Sequence, residues 1–469
     1  MKVLLINPPI REEAPPNCFP LGLAYVARVL LDNGHEVSVL DINAHRYKFE
    51  QLPEEIKKYD FDVAGITGLI TQYKYIKRLT ILLKKMYPDK KAIIGGNIAS
   101  TVPKLLLEKS LADIMAIGEG EVTAVELINA LEKNKDLSKV DGIAFKKDGK
   151  IVFTKPRQVI EDIDTIPFPA WDLFPLNIYF KYSVTGYTQE RNMNLLTSRG
   201  CPFHCTFCYD TFGKKTRFRS PENVIAELKE LKRRYGITKL DLYDETFTVH
   251  KQRAMEICKR MIDEKLNMKW DCSGRVNCID EELLIMMKKA GVTHILYGIE
   301  SGSQRMLNEM KKGVLVEQAK KAIRSTRKVG IEFIPTLMIG FPSESKETIE
   351  ESVNFFKEMG IFSEAFYPTP HPGAPLYDYA LQRGLIKDED KYLESLTHFG
   401  RLVVNLTNMP DEKLMRLRNS AVRRIFISYI LKNMHRVPYQ IIYRIRIMGL
   451  KGFISHLNSY FRRFISVTN

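Results

Sequence analysis

Short apolar runs that alternate with stretches of helical periodicity constrain the fold of this chain more than any other feature. In the first 140 residues each run is largely apolar, and in most cases a longer stretch with apolar residues at helical spacing follows it. The runs are Val3–Ile6, Val37–Leu40, Val63–Ile66, Ala92–Ile94 and Ile114–Ile117. Runs of this kind are typical of a parallel sheet that helices cover on both faces. The pattern predicts a doubly wound α/β domain.

A second series of the same kind begins near Met193. Its candidate strands are each followed by a helical pattern, such as Pro221–Tyr235, Val316–Val329 and Lys346–Met359. The candidate strands are Asn194–Thr197, Leu240–Tyr243, Trp270–Ser273, His294–Gly298, Glu332–Ile339 and Ser363–Tyr367. This series predicts a partial parallel (β/α)6 barrel of the TIM type, with functional residues at the carboxyl ends of the strands.

The length of 469 residues fits several domains, since one domain has roughly 150 residues. We predict a Rossmann-like (flavodoxin-like) domain over 1–140, a hairpin and a connector rich in proline and aromatic residues over 141–190, the partial barrel over 191–400 and a basic helical region over 401–469. The apolar runs fall far short of the roughly 18 residues that span a bilayer, and no cleavage-site pattern follows the amino terminus. A cytoplasmic protein is therefore expected.

Seven cysteines are too few for a disulfide scaffold in so long a chain, and three of them crowd together. The spacing Cys201-x-x-x-Cys205-x-x-Cys208 indicates metal chemistry in a reducing compartment. Three thiolates can hold three irons of a cubane cluster and leave the fourth iron open. The alternative is a structural zinc site with His204 as fourth ligand, although such sites usually have two spaced pairs of ligands. The scattered cysteines are expected to be structural: Cys18, Cys258, Cys272 and Cys278.

The segment around these cysteines resembles the signature of the radical S-adenosylmethionine enzymes. The match runs from Thr197 to Cys208 and includes the aromatic Phe207 before the last cysteine. The resemblance implies that Cys201, Cys205 and Cys208 bind a [4Fe–4S] cluster whose open iron chelates S-adenosylmethionine. It also implies a flavodoxin- or ferredoxin-type donor, whose electron breaks the sulfonium bond to give a 5′-deoxyadenosyl radical in a barrel that excludes water.

Strand ends of the second series resemble the S-adenosylmethionine-binding elements of that family. The resemblance implies that an acid after the second strand binds the methionine ammonium; Asp244 and Glu245 both stay open, because the usual glycine pair is missing. It further implies that Arg275 pairs with the methionine carboxylate, and that later strand ends contact the ribose and the adenine. The residues implied for this cofactor are Phe207, Asp244, Glu245, Arg275, Glu300, Ser301, Ile339 and Gly340.

The first domain resembles the cobalamin-binding half of a class that includes carbon methylases and the anaerobic porphyrin ring cyclase. Glycines at strand ends let the backbone approach a large flat ligand closely. The residues implied for cobalamin are Pro8, Thr67, Gly68, Gly95, Gly96, Asn97, Gly118 and Glu119. The Asp-x-His-x-x-Gly motif that supplies an axial histidine to cobalt in other cobalamin proteins is absent from the sequence. The alternative is a domain that keeps the fold and has lost the cofactor.

The net charge of +15 is concentrated at the carboxyl end. No acidic residue follows Glu412, whereas twelve lysines and arginines do, interleaved with aliphatic and aromatic residues on helical patterns broken at Pro438 and Gly449. Such a region could lie on an anionic membrane surface, contact nucleic acid, or pack on the barrel with its charges in solvent. Of the two binding alternatives the aliphatic content favours a membrane over nucleic acid, and with it a lipid or another apolar substrate.

Together these features predict an enzyme that methylates an unactivated carbon of a small, apolar substrate with methylcobalamin. One alternative keeps the radical step without methyl transfer and carries out a cyclisation, a C–C coupling or another rearrangement. Another modifies RNA as a methylthiotransferase does, but such enzymes carry extra cysteines before the barrel, where this chain has only Cys18. The third is a zinc-stabilised, basic binding protein.

Overall fold

The computed structural model describes residues 1–12, 15–183, 186–396 and 400–434. A seven-stranded sheet occupies the first third of the chain. Its strands are β1 (Lys2–Asn7), β2 (Glu36–Asp41), β3 (Val63–Thr67), β4 (Lys91–Gly95), β5 (Ile114–Ala116), β6 (Ile143–Lys147) and β7 (Lys150–Phe153). Their order is β2-β1-β3-β4-β5-β6-β7, and β1 to β5 run parallel.

Helices cover both faces of this sheet. They are α1 (Leu21–Asp32), α2 (Ile42–His45), α3 (Leu52–Lys57), α4 (Tyr73–Met86), α5 (Asn97–Thr101), α6 (Pro103–Lys109) and α7 (Gly120–Glu132). Leu5 and its neighbours pack with α1 and α7, while Leu4 packs in a second core with α4 and α6. The predicted doubly wound α/β fold is confirmed, because alternate side chains of an apolar strand serve opposite faces.

The hairpin β6–β7 belongs to the edge of the first sheet. Strand β6 pairs antiparallel with β5, and the turn uses Asp148 and Gly149 at positive φ, 50° and 75°. The sequence-based prediction placed this hairpin together with the connector, in 141–190, whereas its hydrogen bonds join it to the first sheet. A local turn pattern predicts a hairpin but not the strand beside which it lies. The domain bounds themselves stay a prediction.

Aromatic side chains of the connector pack against both halves of the chain. Phe174 meets Phe19 of the first half edge-on at 5.1 Å, and Trp171 meets Tyr235 of the second half at 5.9 Å. The connector also holds α8 (Leu176–Tyr179) and the short pair β8 (Tyr182–Ser183) and β9 (Gly186–Tyr187). The rings therefore form part of the contact between the two halves.

The second half contains six parallel strands in sequential order, as the predicted partial barrel requires. They are β10 (Asn192–Leu195), β13 (Lys239–Leu242), β14 (Lys269–Gly274), β15 (Val292–Glu300), β16 (Glu332–Met338) and β17 (Ala365–Phe366), and a separate antiparallel ribbon joins β11 (Ser198–Arg199) and β12 (Arg217–Phe218). The helices are α9 (Pro221–Tyr235), α10 (Lys251–Asp263), α11 (Glu281–Lys289), α12 (Gln304–Glu309), α13 (Val316–Val329), α14 (Lys346–Met359), α15 (Pro375–Gln382), α16 (Glu389–Ser395) and α17 (Asp411–Lys432).

Helix α17 makes up most of the described part of the basic carboxyl-terminal region, and it packs on the barrel. Its Leu414 and Ile425 are buried, Arg424 forms an ion pair with Glu350 of α14, and Arg418 donates to the carbonyl of Ala365 on the edge strand. The rest of the predicted basic region, residues 435–469 with both predicted breaks, lies outside the described residues. Among the helices that the structure describes, none has the length and the apolar content to cross a membrane.

Candidate active site

The three clustered cysteines lie on one loop at the carboxyl end of β10. The loop spans residues 200–216 and is closed at its base by the ribbon β11–β12. Gly200 has φ +90°, and a side chain there would collide with the backbone of Lys215, so the loop needs glycine at this point. Further along, the amide of Thr206 donates to Met310 and its carbonyl accepts from Leu376, which anchors the loop to two distant segments. We call residues 200–216 the cysteine loop.

The thiols of the cysteine loop differ in exposure. Cys205 is buried, Cys201 is half-buried and Cys208 is exposed. Within the described ranges, no group of three or more His, Cys, Asp and Glu side chains is arranged to hold one metal ion. A cubane cluster makes a different demand from a single ion, because each of its irons takes its own thiolate.

Asp244 supports the chain just before the cysteine loop. Its carboxylate accepts hydrogen bonds from the amides of Thr197 and Ser198, at 2.6 and 3.1 Å, and from both of their hydroxyls, at 2.5 and 2.7 Å. These four bonds occupy the lone-pair positions of the carboxylate. Of the two acids that the sequence left open for the methionine ammonium, Asp244 is therefore already engaged.

Glu245 is the acid that remains available. Its carboxyl group is bonded to the backbone of Gly200, and Oε2 is buried without a hydrogen-bond partner among the residues that the structure describes. Burial raises the pKa of Glu245 to about 7. A half-buried acid with one buried, unused oxygen fits a cationic ligand group, because an ammonium would supply the missing donor and the opposite charge.

Arg275 lies against the cysteine loop. Its guanidinium stacks on Phe203 at 3.7 Å from the ring centre, and Nη1 donates weakly to the sulfur of Cys205 at 3.7 Å. Nε and Nη2 are buried, and neither has a hydrogen-bond partner in the described part of the chain. Two unused, coplanar N–H donors suit a carboxylate ligand.

Glu300 and Ser301, predicted as one ribose-contacting segment, have different surroundings. Glu300 adopts φ +65° where the pairing of β15 with β16 shifts register, and its carboxylate binds Lys312 at 3.0 Å and Thr336 at 2.8 Å. Lys312 lies 5.6 Å from the ring centre of Phe207, which brings Glu300 to the cysteine loop. The hydroxyl of Ser301, in contrast, is bonded to Ser352 of α14 at 3.0 Å.

Ile339 and Gly340 form the turn after β16, and this turn is also held near the cysteine loop. Phe207 meets Phe341 edge-on at 6.0 Å. Gly340 has φ +119°, and its amide donates to the buried carboxylate of Glu344 at 3.2 Å. The sequence did not predict a role for Glu344, because a single glutamate near the start of a helix carries no signal for the backbone amide that it binds.

The titration of Glu344 gives a stability prediction. Burial raises its pKa to about 7, so the folded chain binds this proton more tightly than the unfolded chain. The free energy of unfolding should therefore fall as pH rises from about 4.5 to 7, by about 3 kcal/mol at 1.36 kcal/mol per pKa unit. We expect Glu344→Gln to remove that loss, because glutamine keeps the bond to the Gly340 amide without the charge. Urea unfolding at pH 5 and pH 8 measures the difference.

The surface variant Glu347→Gln, three residues further on in the first turn of α14, is the control and should keep the pH dependence of the wild type between pH 5 and pH 8. Parallel pH profiles for the wild type and Glu344→Gln would contradict the assignment.

A cavity of about 410 Å³ opens between the first sheet, α1, α7 and the mouth of the barrel. Its walls are mostly apolar. Six of the residues that the sequence predicted for cobalamin line it: Thr67, Gly95, Gly96, Asn97, Gly118 and Glu119. The remaining two, Pro8 and Gly68, do not line it: the carbonyl of Pro8 accepts from Gln72, and a side chain at Gly68 would collide with Ile76.

The strand-end glycines are required by the backbone as well as by space. Gly96 has φ +78°, and a Cβ there would lie 2.9 Å from the carbonyl oxygen of Gly68. Gly118 has φ +83° and donates its amide to Ser100 at 2.9 Å. Backbone without side chains at these strand ends fits a broad ring, and the apolar slot between α1 and α7 fits a long tail.

The second half of the chain also contributes to this cavity, which the sequence did not predict. Arg199, Phe212 and Tyr243 line it from the barrel side. Glu119 uses its carboxylate to bind Arg199 and Arg217, at 2.9 Å each, rather than leaving it free toward the cavity. The ion pairs of Glu119 with these arginines form only when two segments that are distant in sequence pack together. The cysteine loop and the glycine-rich strand ends thus border on one space.

The fold and the two sites define a class of enzyme, in which a cobalamin-binding Rossmann-like half and a radical S-adenosylmethionine barrel share one cavity. Residues 195–356 match the model of the radical SAM superfamily, and residues 9–128 match that of the B12 binding domain. The chain belongs to the B12-binding radical S-adenosylmethionine enzymes, a family that is related to methyltransferases and to anaerobic magnesium-protoporphyrin cyclases. Its cofactors are a [4Fe–4S] cluster, S-adenosylmethionine and cobalamin, as predicted.

Individual relatives agree with this family. An uncharacterized methyltransferase of Pyrococcus horikoshii is 33% identical over 442 residues, which cover 92% of this chain and 93% of that protein. The anaerobic magnesium-protoporphyrin IX monomethyl ester cyclase of Synechocystis is 30% identical over 431 residues, with 88% and 83% covered. Among solved structures, the methyltransferase TsrM of Kitasatospora setae has the same fold, with a TM-score of 0.70 at 20% identity over 82% of this chain and 77% of that one. The chain is therefore a cobalamin-dependent, methyltransferase-like radical enzyme, and the zinc-stabilised binding protein is excluded.

Proposed function

We propose that this enzyme methylates an unactivated carbon of a small, apolar substrate. The observation that carries the proposal is the shared cavity, in which Gly96 and Asn97 of the first half face Arg199 and Tyr243 of the barrel half. When bound, the cluster supplies the electron that cleaves S-adenosylmethionine, and cobalamin supplies the methyl group. A common cavity lets one substrate reach both without leaving the protein.

In this proposal the cysteine loop holds the cluster. Cys201, Cys205 and Cys208 each bind one iron and leave the fourth iron for S-adenosylmethionine. The buried position of Cys205 and the anchoring of Thr206 support this role, since a ligand loop must hold its geometry.

Groups around the loop bind S-adenosylmethionine. Arg275 pairs with the methionine carboxylate through Nε and Nη2, and Glu245 accepts a hydrogen bond from the ammonium. Phe207 and the turn at Ile339 and Gly340 contact the adenine. The ion pair of Glu300 with Lys312 lies beside Phe207 and offers carboxylate oxygens to the ribose hydroxyls.

The strand ends of the first sheet bind cobalamin. Gly95, Gly96 and Gly118 admit the corrin ring closely, while Thr67 and Asn97 supply polar side chains at the same edge. Four of the predicted residues act indirectly in this proposal, by holding the backbone beside the two sites: Asp244 and Ser301 in the barrel half, and Pro8 and Gly68 in the first half.

An anaerobic preparation tests the proposal. The protein is analysed for iron, sulfide and cobalt, reduced with a flavodoxin or a ferredoxin, and given methyl-labelled S-adenosylmethionine. Mass spectrometry should find S-adenosylhomocysteine beside 5′-deoxyadenosine and a labelled product. The related cyclases favour a second function, a radical cyclisation or coupling, for which 5′-deoxyadenosine alone would form.

The apolar substrate is supported by the exposed end of α17. Ile427 and Leu431 of α17 and Met434, two residues beyond its end, recur at helical spacing and are 52%, 66% and 63% exposed. The exposed Arg423 lies on the same side of the helix. This face suits peripheral contact with an anionic membrane, where apolar side chains insert and arginine meets lipid phosphate. Membrane contact would bring the enzyme to a lipid-soluble substrate.

Liposome flotation tests the membrane contact. Vesicles with anionic lipid should float the wild type, and the double variant I427D/L431D should lose at least about 90% of that binding, because two aspartates both remove apolar area and repel phosphate. Ile285→Asp, at an exposed position of α11, is the control and should bind as the wild type does. Equal flotation of all three proteins would contradict the role of α17.

A further inference from the structure

At the base of the cysteine loop, one carboxylate of the cobalamin half binds both strands of the stem. Arg199 and Arg217 are paired residues of the ribbon β11–β12, where the loop leaves and returns. Both donate to Glu119, at 2.9 Å, and Glu119 follows β5 of the other sheet. One side chain of the first half therefore holds both strands of the loop's stem.

The charges of this junction are buried and balanced. Glu119, Arg199 and Arg217 are 8%, 3% and 3% exposed, and the fourth member, Glu121, accepts from Arg199 as well. Two carboxylates and two guanidinium groups make the cluster neutral. In a buried set of this kind, the loss of one partner leaves an uncompensated charge, so its geometry is strongly enforced.

The same junction forms a wall of the cobalamin cavity. Glu119, Glu121 and Arg199 all line that cavity, and Arg199 stands two residues before Cys201. Phe212, which the guanidinium of Arg199 faces at 5.0 Å, also lines it and lies within the cysteine loop. An occupant of the cavity thus touches groups that hold the loop on both sides of the cysteines.

From this geometry we infer that Glu119 is a positioning residue for the iron–sulfur cluster. We infer also that cobalamin bound in the cavity changes the environment of the cluster through the contacts of Glu119. The inference goes beyond the proposed function and rests on its assignment of the three cysteines as ligands. It means that the first half takes part in the cleavage of S-adenosylmethionine, a step that does not consume cobalamin. Glu119 acts on the cluster through Arg199 and Arg217 and does not itself touch the iron.

The test compares reconstituted, cobalamin-free wild type with Glu119→Gln. An amide in place of the carboxylate removes the negative charge that both guanidinium groups share. It also places an NH2 group where the second oxygen accepts from Arg217 and from the Ile160 amide. We expect an altered electron paramagnetic resonance spectrum of the reduced cluster and a fall of at least about tenfold in 5′-deoxyadenosine formation, since a loss of about 1.4 kcal/mol suffices for that. Added cobalamin should shift the spectrum of the wild type and leave that of Glu119→Gln unchanged.

Glu126→Gln is the matched control, because Glu126 lies on α7 near Glu119 but is exposed and pairs with Arg157. It should behave as the wild type does. If Glu119→Gln does not fold, Glu121→Gln decides the question, since it weakens only the bond to Arg199 and should change the spectrum in the same direction. A folded Glu119→Gln or Glu121→Gln with the wild-type spectrum and cleavage rate would overturn the inference. Wild type without iron would instead overturn the proposed function.

Discussion

Replacing Cys205 by alanine is expected to abolish iron incorporation and the cleavage of S-adenosylmethionine. Cys205 is the buried thiol of the cysteine loop, and its sulfur accepts from Arg275 at 3.7 Å. In this variant one iron of the cluster has no protein ligand, and the cysteine loop has no further thiol that could replace it. Iron and sulfide analysis, the visible absorbance of the anaerobic protein and the yield of 5′-deoxyadenosine measure the effect.

The control for this variant is Cys258→Ala. Cys258 is fully buried in α10, and burial raises its thiol pKa to about 12, so it is expected to be a packing residue. It should keep the full iron content, with only a modest loss of thermal stability. Cluster formation by Cys205→Ala at the wild-type level would show that the three cysteines are not the ligands and would remove the basis of the proposed function.

Replacing Ala124 by tryptophan is expected to abolish methyl transfer while the cleavage of S-adenosylmethionine continues. Ala124 lies on α7 and lines the cavity together with Leu127 and Ile128. An indole ring at this position fills the slot between the helix and the sheet without disturbing a strand-end glycine. Cobalamin content should fall by about tenfold or more, for which a loss of about 1.4 kcal/mol in binding is enough. The methylated product should disappear with it, while 5′-deoxyadenosine still forms.

The matched control is Val122→Trp on the same helix, because Val122 is 40% exposed and points away from the cavity lining. It should keep wild-type cobalamin content and product formation. Methylation by a cobalamin-free Ala124→Trp protein would contradict methyl transfer from cobalamin. Loss of 5′-deoxyadenosine in the same variant would show that the inserted ring had also disturbed the junction at Glu119.

Most strands and the longer helices of both halves could be predicted closely from the sequence. Helices α9, α13 and α14 begin and end at the predicted residues, because helical periodicity and capping glycines such as Gly236 and Gly360 are local signals. The pairing of the hairpin with β5 was not predictable in the same way. A turn pattern fixes how two strands meet each other, while the neighbour of the pair depends on the whole sheet.

The candidate site shows the same division. The cysteine spacing could be read directly, since three ligands of one loop are close in sequence. The choice between Asp244 and Glu245 could not, because it depends on where Thr197 and Ser198 lie in the fold. Glu344 and Arg199 were missed for a related reason, because neither belongs to a sequence motif that indicates its binding partner.

By itself the sequence determined the main strands of both sheets, the longer helices, and the loop that carries the three thiols, because periodicity and ligand spacing are properties of neighbouring residues. Only the tertiary structure decided that Glu119 binds Arg199 and Arg217 at the stem of the cysteine loop, and that the glycine-rich strand ends share a cavity with Arg199 and Tyr243. These pairings join residues about 80 to 180 positions apart along the chain. Their energy comes from burial and charge balance that exist only once the two sheets have packed together.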